Sequence, residues 1–324
     1  MHAIKRAIES YLLLGLISLS TIAFFADRLL PVDIFVESKP VLPWLIVITM
    51  FAIGWTLPAD EVRQVVSRWP TVLGGTTTQY VVMPLLAWAL AKLFQLEGGL
   101  LIGMIMVGCV PGAMASNVLT LMARGSTSYS VCLTTAATLL SPIVVPMALR
   151  LTLGDTVDSQ TFLDAAVELA WMVVLPVISG FALSLLMPQF KSTAGALGSV
   201  VANLTILWII AYVVASNRSR LGAMEIRVVV ALLLVNAGGY LAGWSGGKLM
   251  RLPTSMKRAL SLEVGMQNAG LGTVLVGRLF PDDPTVLVPP ALYTFVCMLT
   301  GTMLARLWHS IAIADDERVV EETG

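Results

Sequence analysis

Ten stretches of about 20 mostly apolar residues follow one another along this 324-residue chain. This is the length at which an α-helix crosses the hydrocarbon core of a bilayer. Apolar residues make up 57% of the chain and charged residues 12%, against about 25% charged residues in soluble domains. The sequence therefore predicts an all-α integral membrane protein with helices near residues 10–30, 40–58, 69–94, 98–123, 127–151, 161–187, 194–216, 224–250, 256–280 and 285–312.

The distribution of basic residues predicts how these ten transmembrane helices are oriented. An even number of spans places both chain ends on one side, and loops on the cytoplasmic side are usually richer in Lys and Arg. If both ends are inside, inner segments hold twelve of the twenty Lys and Arg residues and outer segments hold eight. We therefore expect a multi-pass protein of the cell inner (plasma) membrane with N- and C-termini cytoplasmic, and a first span at 10–30 rather than a cleaved signal peptide.

The spans divide into two groups of five, residues 1–151 and 161–312. Because five is odd, a repeat of five helices must be inverted in the membrane, as in many secondary transporters. The polar, charged stretch 59–68 is predicted to be an interfacial linker. Residues 313–324 are acidic and polar, which predicts a disordered acidic tail.

Composition argues against several other classes of protein. The net charge is zero, so no nucleic acid partner is indicated. The expected surroundings are membrane lipid, and no obligate protein partner is evident. The only histidines are His2 and His309, and the three cysteines lie in apolar stretches, so sodium is the only metal expected and no transition metal is. No His-Glu-x-x-His or Gly-x-Ser-x-Gly motif is present, which argues against an enzyme. The sequence also lacks a selectivity-filter motif, which argues against a channel.

One acid, Glu263, lies deep inside the ninth apolar stretch. An ionisable side chain at bilayer depth is costly and usually marks an ion or substrate pathway. Two amides, Gln267 and Asn268, and three glycines follow within nine residues. Polar side chains and weakened helix thus occur together, as expected of an ion site.

The fourth and ninth stretches are both predicted to be broken helices. Pro111-Gly112 interrupts the fourth, because proline removes a helical hydrogen bond and glycine weakens the helix. Interrupted helices at corresponding positions of two halves indicate a transporter site, where freed carbonyls bind cations and half-helix N-termini face anions. The structural alternative is a pair of kinked helices that only pack closely.

Oxygen ligands suitable for sodium occur on neighbouring helices. Ser130, Thr134 and Thr138 follow at i, i+4 and i+8 on the fifth helix, and Gln79 lies in the third. Each also has a structural reading, since membrane Ser and Thr often bond the carbonyl four residues back and a lone Gln can join two helices.

Three motifs together carry a family resemblance. They are Pro111-Gly112-Ala113-Met114-Ala115-Ser116-Asn117-Val118, the stretch from Ser130 to Pro142 that ends in Thr138-Leu139-Leu140-Ser141-Pro142, and Glu263-Val264-Gly265-Met266-Gln267-Asn268. The chain resembles the bile acid:sodium symporter family, and in particular its bacterial ten-helix members.

The resemblance implies two sodium ions bound behind the crossing of the broken helices. The first site would be built by Ser116, Asn117, Ser130, Thr134 and Glu263. The second would use Gln79, Glu263, Gln267 and the backbone carbonyls of Val264 and Met266. The fold would have a core domain of helices three to five and eight to ten and a panel domain of helices one, two, six and seven, with substrate between them.

The resemblance also indicates where substrate would bind. Asn117 and Asn268 are the candidates to contact it. The chain departs from the family pattern at Ala113-Met114 and at Val296-Cys297-Met298, so Met114 and Cys297 are further candidates in the expected substrate cavity. The predicted function is a sodium-coupled symporter that imports an organic anion, either bile acid-like or a smaller carboxylate such as pantoate, by alternating access. The alternative is a proton-coupled or uncoupled organic anion transporter or exporter, in which Glu263 would titrate.

Overall fold

A computed structural model of the protein describes residues 15, 17–28, 31–154, 158–187, 189, 191–218 and 226–311. Within these ranges the chain is helical, with no β-strand and one isolated bridge between Gly112 and Gln267. The predicted tail 313–324 and the start of the first predicted helix lie outside the described residues. In chain order the helices are α1 (17–28), α2 (Ile34–Glu37), α3 (Leu42–Thr56), α4 (Ala59–Ser67), α5 (Trp69–Leu93), α6 (Gly98–Cys109), α7 (Ala115–Met122), α8 (Thr127–Leu153), α9 (Ser159–Leu169), α10 (Leu175–Leu186), α11 (Lys191–Ser216), α12 (Ile226–Leu249), α13 (Thr254–Gly265), α14 (Ala269–Leu279) and α15 (Val288–Ser310).

The prediction of an all-helical membrane protein is confirmed. Within the described ranges, five helical stretches are long and apolar enough to cross a bilayer, and their bounds are Ile34–Thr56, Thr127–Leu153, Ser159–Leu186, Ile226–Leu249 and Pro284–Ser310. The fourth and ninth predicted stretches are each split into two shorter helices, α6 with α7 and α13 with α14. The relation of the two halves as inverted repeats stays a prediction.

The linker predicted at 59–68 forms the short helix α4. Its Arg63 and Asp60 side chains are 84% and 85% exposed and form an ion pair at 3.7 Å. Gln64, on the same helix, accepts a hydrogen bond from the hydroxyl of Ser128 at the start of α8. The helix thus has a solvated side and a side joined to the membrane helices, which fits an interfacial position.

The two helix breaks pair with each other through their backbones. The N–H of Ala113 donates to the carbonyl of Met266 at 2.7 Å, and the N–H of Asn268 donates to the carbonyl of Pro111 at 2.8 Å. Backbone groups in a bilayer must find partners inside the protein, since no water is present to supply them. Each break therefore satisfies groups that the other break exposes.

Glycines on α12 bring that helix close to α13. A Cβ at Gly243 would overlap the backbone of Leu260 and Ser261, and one at Gly239 would crowd the backbone at Gly265. Small residues allow this kind of close approach between membrane helices. α12 therefore lies directly behind the break that follows Glu263.

Candidate functional site

Glu263 lies on the last turn of α13, two residues before the helix ends, and its side chain is fully buried. The hydroxyl of Ser116 donates to its Oε2 at 2.5 Å, and the hydroxyl of Thr134 lies 2.7 Å from its Oε1. Within the part of the chain that the structure describes, no Lys, Arg or His forms an ion pair with this carboxylate. A buried carboxylate held only by hydroxyls lacks the counter-charge that burial normally requires.

The break in the fourth stretch allows the chain to pass close to this acid. A Cβ at Gly112 would overlap the carboxylate of Glu263. The chain then turns into α7, whose first turn carries Ser116 and Asn117. The Pro111-Gly112 pair thus has two effects, because it ends α6 and it leaves room for the acid.

The residues predicted for the first sodium site come together around Thr134. Its hydroxyl lies 2.7 Å from Glu263 Oε1, 3.0 Å from the carbonyl of Ser130 and 3.4 Å from Asn117 Oδ1. A hydroxyl has one proton, so these three acceptors compete for one donor. Ser130 is buried one turn away on α8, and its contact with Thr134 is made by its backbone carbonyl.

Two of the side chains predicted for the second site, Gln79 and Gln267, contact each other. Gln79 on α5 donates from Nε2 to Gln267 Oε1 at 3.2 Å, and both side chains are buried. Gln267 Nε2 in turn donates to the carbonyl of Val264 at 2.8 Å. The carbonyl of Met266 accepts from Ala113. Each of these two carbonyls has a second lone pair that a cation could use.

The predicted substrate residues have different environments. Met114 and Asn268 are half-buried, and Asn117 is 9% exposed, with its Nδ2 4.0 Å from the sulfur of Met114. Asn268 accepts a hydrogen bond from the N–H of Leu271 and so caps α14. Cys297 is buried, and its Sγ lies 3.5 Å from the carbonyl of Thr294.

Sequence reasoning missed several buried polar residues beside the site. The Thr120 hydroxyl donates to Ser130 Oγ at 3.3 Å. Asn236 and Tyr293 both donate to the carbonyl of Gly265 at 2.8 Å. A signal existed for Asn236, an amide in the apolar eighth stretch, whereas Tyr293 and Thr120 are residue types that are common in membrane helices.

Within the described ranges, no cluster of three or more His, Cys, Asp or Glu side chains could hold a metal ion. Cys109, Cys132 and Cys297 are all buried and form no disulfide with one another, as expected of packing residues. Sodium differs from the transition metals because it is a hard cation that takes oxygen ligands. Oxygens of that kind come together here from Ser116 and Asn117 on α7, Thr134 on α8 and Glu263 on α13.

Comparison with known sequences places the chain among membrane transporters. The sequence model of the Sodium Bile acid symporter family matches residues 43–223, which is more than half of the chain. The chain is 34% identical to the uncharacterized sodium-dependent transporter YocS of Bacillus subtilis (strain 168) over 81% of this chain and 80% of that protein. It is 32% identical to the probable sodium/metabolite cotransporter BASS1, chloroplastic, of Arabidopsis thaliana, over 83% of this chain and 67% of that protein.

A more distant relative is the hepatic sodium/bile acid cotransporter of Rattus norvegicus, at 24% identity over 83% of this chain and 76% of that protein. The helical fold, the apolar spans and these relatives define a multi-pass membrane transporter, not an enzyme. The chain belongs to the sodium bile acid symporter family. The resemblance and the transporter class predicted from the sequence are therefore confirmed, and the assignment of single side chains to ion sites stays a prediction.

Proposed function

We propose that this protein imports a small organic anion together with two sodium ions by alternating access. One observation carries the proposal. Glu263 is fully buried and held by hydroxyls of Ser116 and Thr134, without an ion-pairing cation in the described part of the chain. A sodium ion would supply the missing positive charge.

The first sodium ion would bind among the oxygens that surround Thr134. Three other oxygens lie within 3.4 Å of the Thr134 hydroxyl, namely Glu263 Oε1, Asn117 Oδ1 and the Ser130 carbonyl oxygen. These oxygens have more lone pairs than the available hydroxyl protons can satisfy. That surplus favours a cation over a further hydrogen bond.

The second sodium ion would bind where Gln79 now meets Gln267. Rotation of the Gln267 amide would break its hydrogen bond to the Val264 carbonyl. The amide oxygen and that carbonyl would then both be available to an ion. Glu263 would bridge the two sites, so that one carboxylate offsets part of the charge of two cations. Two sodium ions with one monovalent anion move one net charge, worth about 2.3 kcal/mol per 100 mV of membrane potential.

The proposed architecture is the ten-helix family fold, with two inverted five-helix repeats and both termini cytoplasmic. Its panel would contain α1, α3, α9 with α10, and α11, and its core would contain α5 to α8 and α12 to α15. The reciprocal backbone bonds between the two breaks support the arrangement as two repeats, since they join corresponding parts of the two halves. Binding of sodium would fix the breaks, and panel and core would then rock against each other around the substrate.

The substrate class follows from the relatives and from the breaks. Relatives are named for bile acid or for metabolites in general. α7 and α14 each begin at one of the two breaks. The partial positive charge at their N-termini would favour a negatively charged group near Asn117 and Asn268. A bile acid-like anion and a smaller carboxylate such as pantoate both fit this chemistry.

A proton could replace sodium at Glu263, and the hydroxyl-only environment also suits a neutral acid. This second candidate is a proton-coupled anion transporter. It predicts dependence on pH and indifference to sodium.

The test is thermal unfolding of the purified protein in sodium and in potassium, with and without a panel of organic anions. The variants are wild type, Glu263→Gln, and the control Glu97→Gln, which changes an exposed acid at the start of α6. We expect sodium to stabilise wild type and the control but not Glu263→Gln, and the transported anion to add stability only in sodium. Equal stability in sodium and potassium at every pH would overturn the sodium proposal, and stabilisation by low pH alone would favour the proton.

A further inference from the structure

Gly265, at the break between α13 and α14, has a backbone carbonyl that is held by side chains of α12 and α15. It is the last residue of α13, so its carbonyl has lost its helical partner. Asn236 Nδ2 and Tyr293 OH each donate to it at 2.8 Å. Two donors on one carbonyl fix the orientation of that peptide group.

These two donors are themselves held by a buried polar network. Thr300 donates to Asn236 Oδ1 at 2.7 Å, and the Tyr240 hydroxyl lies 3.1 Å from Thr300 Oγ1. Asn236 and Tyr293 are 1% and 0% exposed. Because every member has a partner inside the membrane, the network has one strongly preferred arrangement.

The orientation of Gly265 matters because of its neighbours. Met266 has extended backbone angles, φ −113° and ψ 94°. In extended chain, successive carbonyls point to opposite sides. A Gly265 carbonyl held toward α12 and α15 therefore leaves the carbonyl of Met266 on the other side, where it meets Ala113 and the proposed second sodium site.

Gly265 also has no room to turn. A Cβ at this position would overlap the ring of Tyr240. The α-carbon in turn lies against Gly239 of α12. The peptide is thus confined sterically as well as by hydrogen bonds.

We propose that Asn236 and Tyr293 are positioning residues for the second sodium ion, acting through the Gly265 carbonyl. This inference rests on the proposed function, since it assumes that the carbonyls of Val264 and Met266 bind sodium. Neither side chain contacts the ion. Their role is to present the two flanking carbonyls before the ion arrives.

The test compares Tyr293→Phe with Tyr129→Phe. Tyr129 is a matched control because it is equally buried and its hydroxyl also donates to a backbone carbonyl, that of Thr71 at 2.8 Å. The measurement is the sodium concentration that gives half-maximal thermal stabilisation, with stability in potassium as the reference. We expect Tyr293→Phe to raise that concentration about three- to tenfold, as for the loss of one hydrogen bond, and Tyr129→Phe to leave it unchanged.

A purely structural role would lower stability in potassium for both variants and leave the sodium concentration unmoved, which would overturn the inference while leaving the proposed function intact. If wild type shows no sodium response, the proposed function itself fails. Should Tyr293→Phe not fold, Thr300→Val removes the hydroxyl that holds Asn236 Oδ1 and leaves both donors to the Gly265 carbonyl in place. The same rise in sodium requirement is then expected, and an unchanged requirement would refute the positioning role.

Discussion

Arg278 near the end of α14 binds Glu168 near the end of α9. Arg278 Nε and Nη2 lie 2.7 and 2.5 Å from the same carboxylate oxygen, Oε1. Trp171 Nε1 donates to the other oxygen at 2.7 Å. The pair therefore joins a helix of the proposed core to a helix of the proposed panel, through a carboxylate with both oxygens engaged.

If panel and core move apart during transport, this pair must open. We expect that bridging cysteines at positions 168 and 278 with a short bis-maleimide will abolish sodium-driven uptake into proteoliposomes. The native cysteines are buried and should react little. Each single-cysteine variant, treated identically, is the control and should retain its uptake. Full uptake by the bridged double variant would show that α9 and α14 need not separate.

The hydroxyls around Glu263 should set the affinity for sodium. Ser116→Ala and Thr134→Val each remove an oxygen that contacts the carboxylate. Half-maximal stabilisation should then need about three- to tenfold more sodium in each variant. Thr152→Val is the control on α8, because its hydroxyl bonds the carbonyls of Ala148 and Leu149 in its own helix, several turns away from Thr134. An equal shift in the control would mean that general loosening of α8, and not loss of a ligand, is being measured.

Gly112 should tolerate no larger residue. In Gly112→Ala the added methyl group would overlap the Glu263 carboxylate and displace it from Ser116 and Thr134. We expect loss of the sodium response together with a lower midpoint of thermal unfolding. Gly270→Ala is the matched glycine in the other break region, where a Cβ would have its nearest neighbours at 3.9 Å. Its midpoint should stay within a degree or two, and a fall like that of Gly112→Ala would refute the steric argument.

Arg258 should be needed for stability, and lysine should not be able to replace it. It is 2% exposed and donates to the carbonyls of Ala123, Trp308 and Ile311 at the ends of α7 and α15. Lysine has a single donor nitrogen and cannot reproduce the fork of the guanidinium. Arg258→Lys should therefore lose at least one charged hydrogen bond, worth about 1.5–3 kcal/mol.

The corresponding measurement is the midpoint of thermal unfolding in potassium, which should fall by several degrees. Arg63→Lys, at an 84% exposed ion pair, provides the comparison and should be neutral. A neutral Arg258→Lys would mean that one ammonium group satisfies the helix ends as well as the guanidinium does.

The sequence alone identified Glu263, because a carboxylate is conspicuous among apolar residues and its cost in a bilayer is large. Its hydroxyl partners could be proposed from helical spacing on α8 and from the family motifs. Arg258 and Tyr293 could not be identified in this way. Their roles depend on which helix ends lie beside them, and that is decided by tertiary packing.

The prolines also show that local sequence does not decide where a helix ends. Pro84, Pro142 and Pro146 all lie inside continuous helices, α5 and α8, whereas Pro111 ends α6. Local chemistry is similar at the four positions. The difference at Pro111 is the following glycine and the second break, which together supply new partners for the freed backbone groups.

The paired breaks form the smallest possible antiparallel ladder, and any ladder has two outer edges. In water an open edge is solvated, but within hydrocarbon it has no partner. Here one edge is covered by Asn236 and Tyr293 at the Gly265 carbonyl, and the amide of Gln267 covers the carbonyl of Val264. The backbone of the α13–α14 break is consequently not satisfied by the two broken helices alone, because α12 and α15 supply the side chains that cover the Gly265 carbonyl.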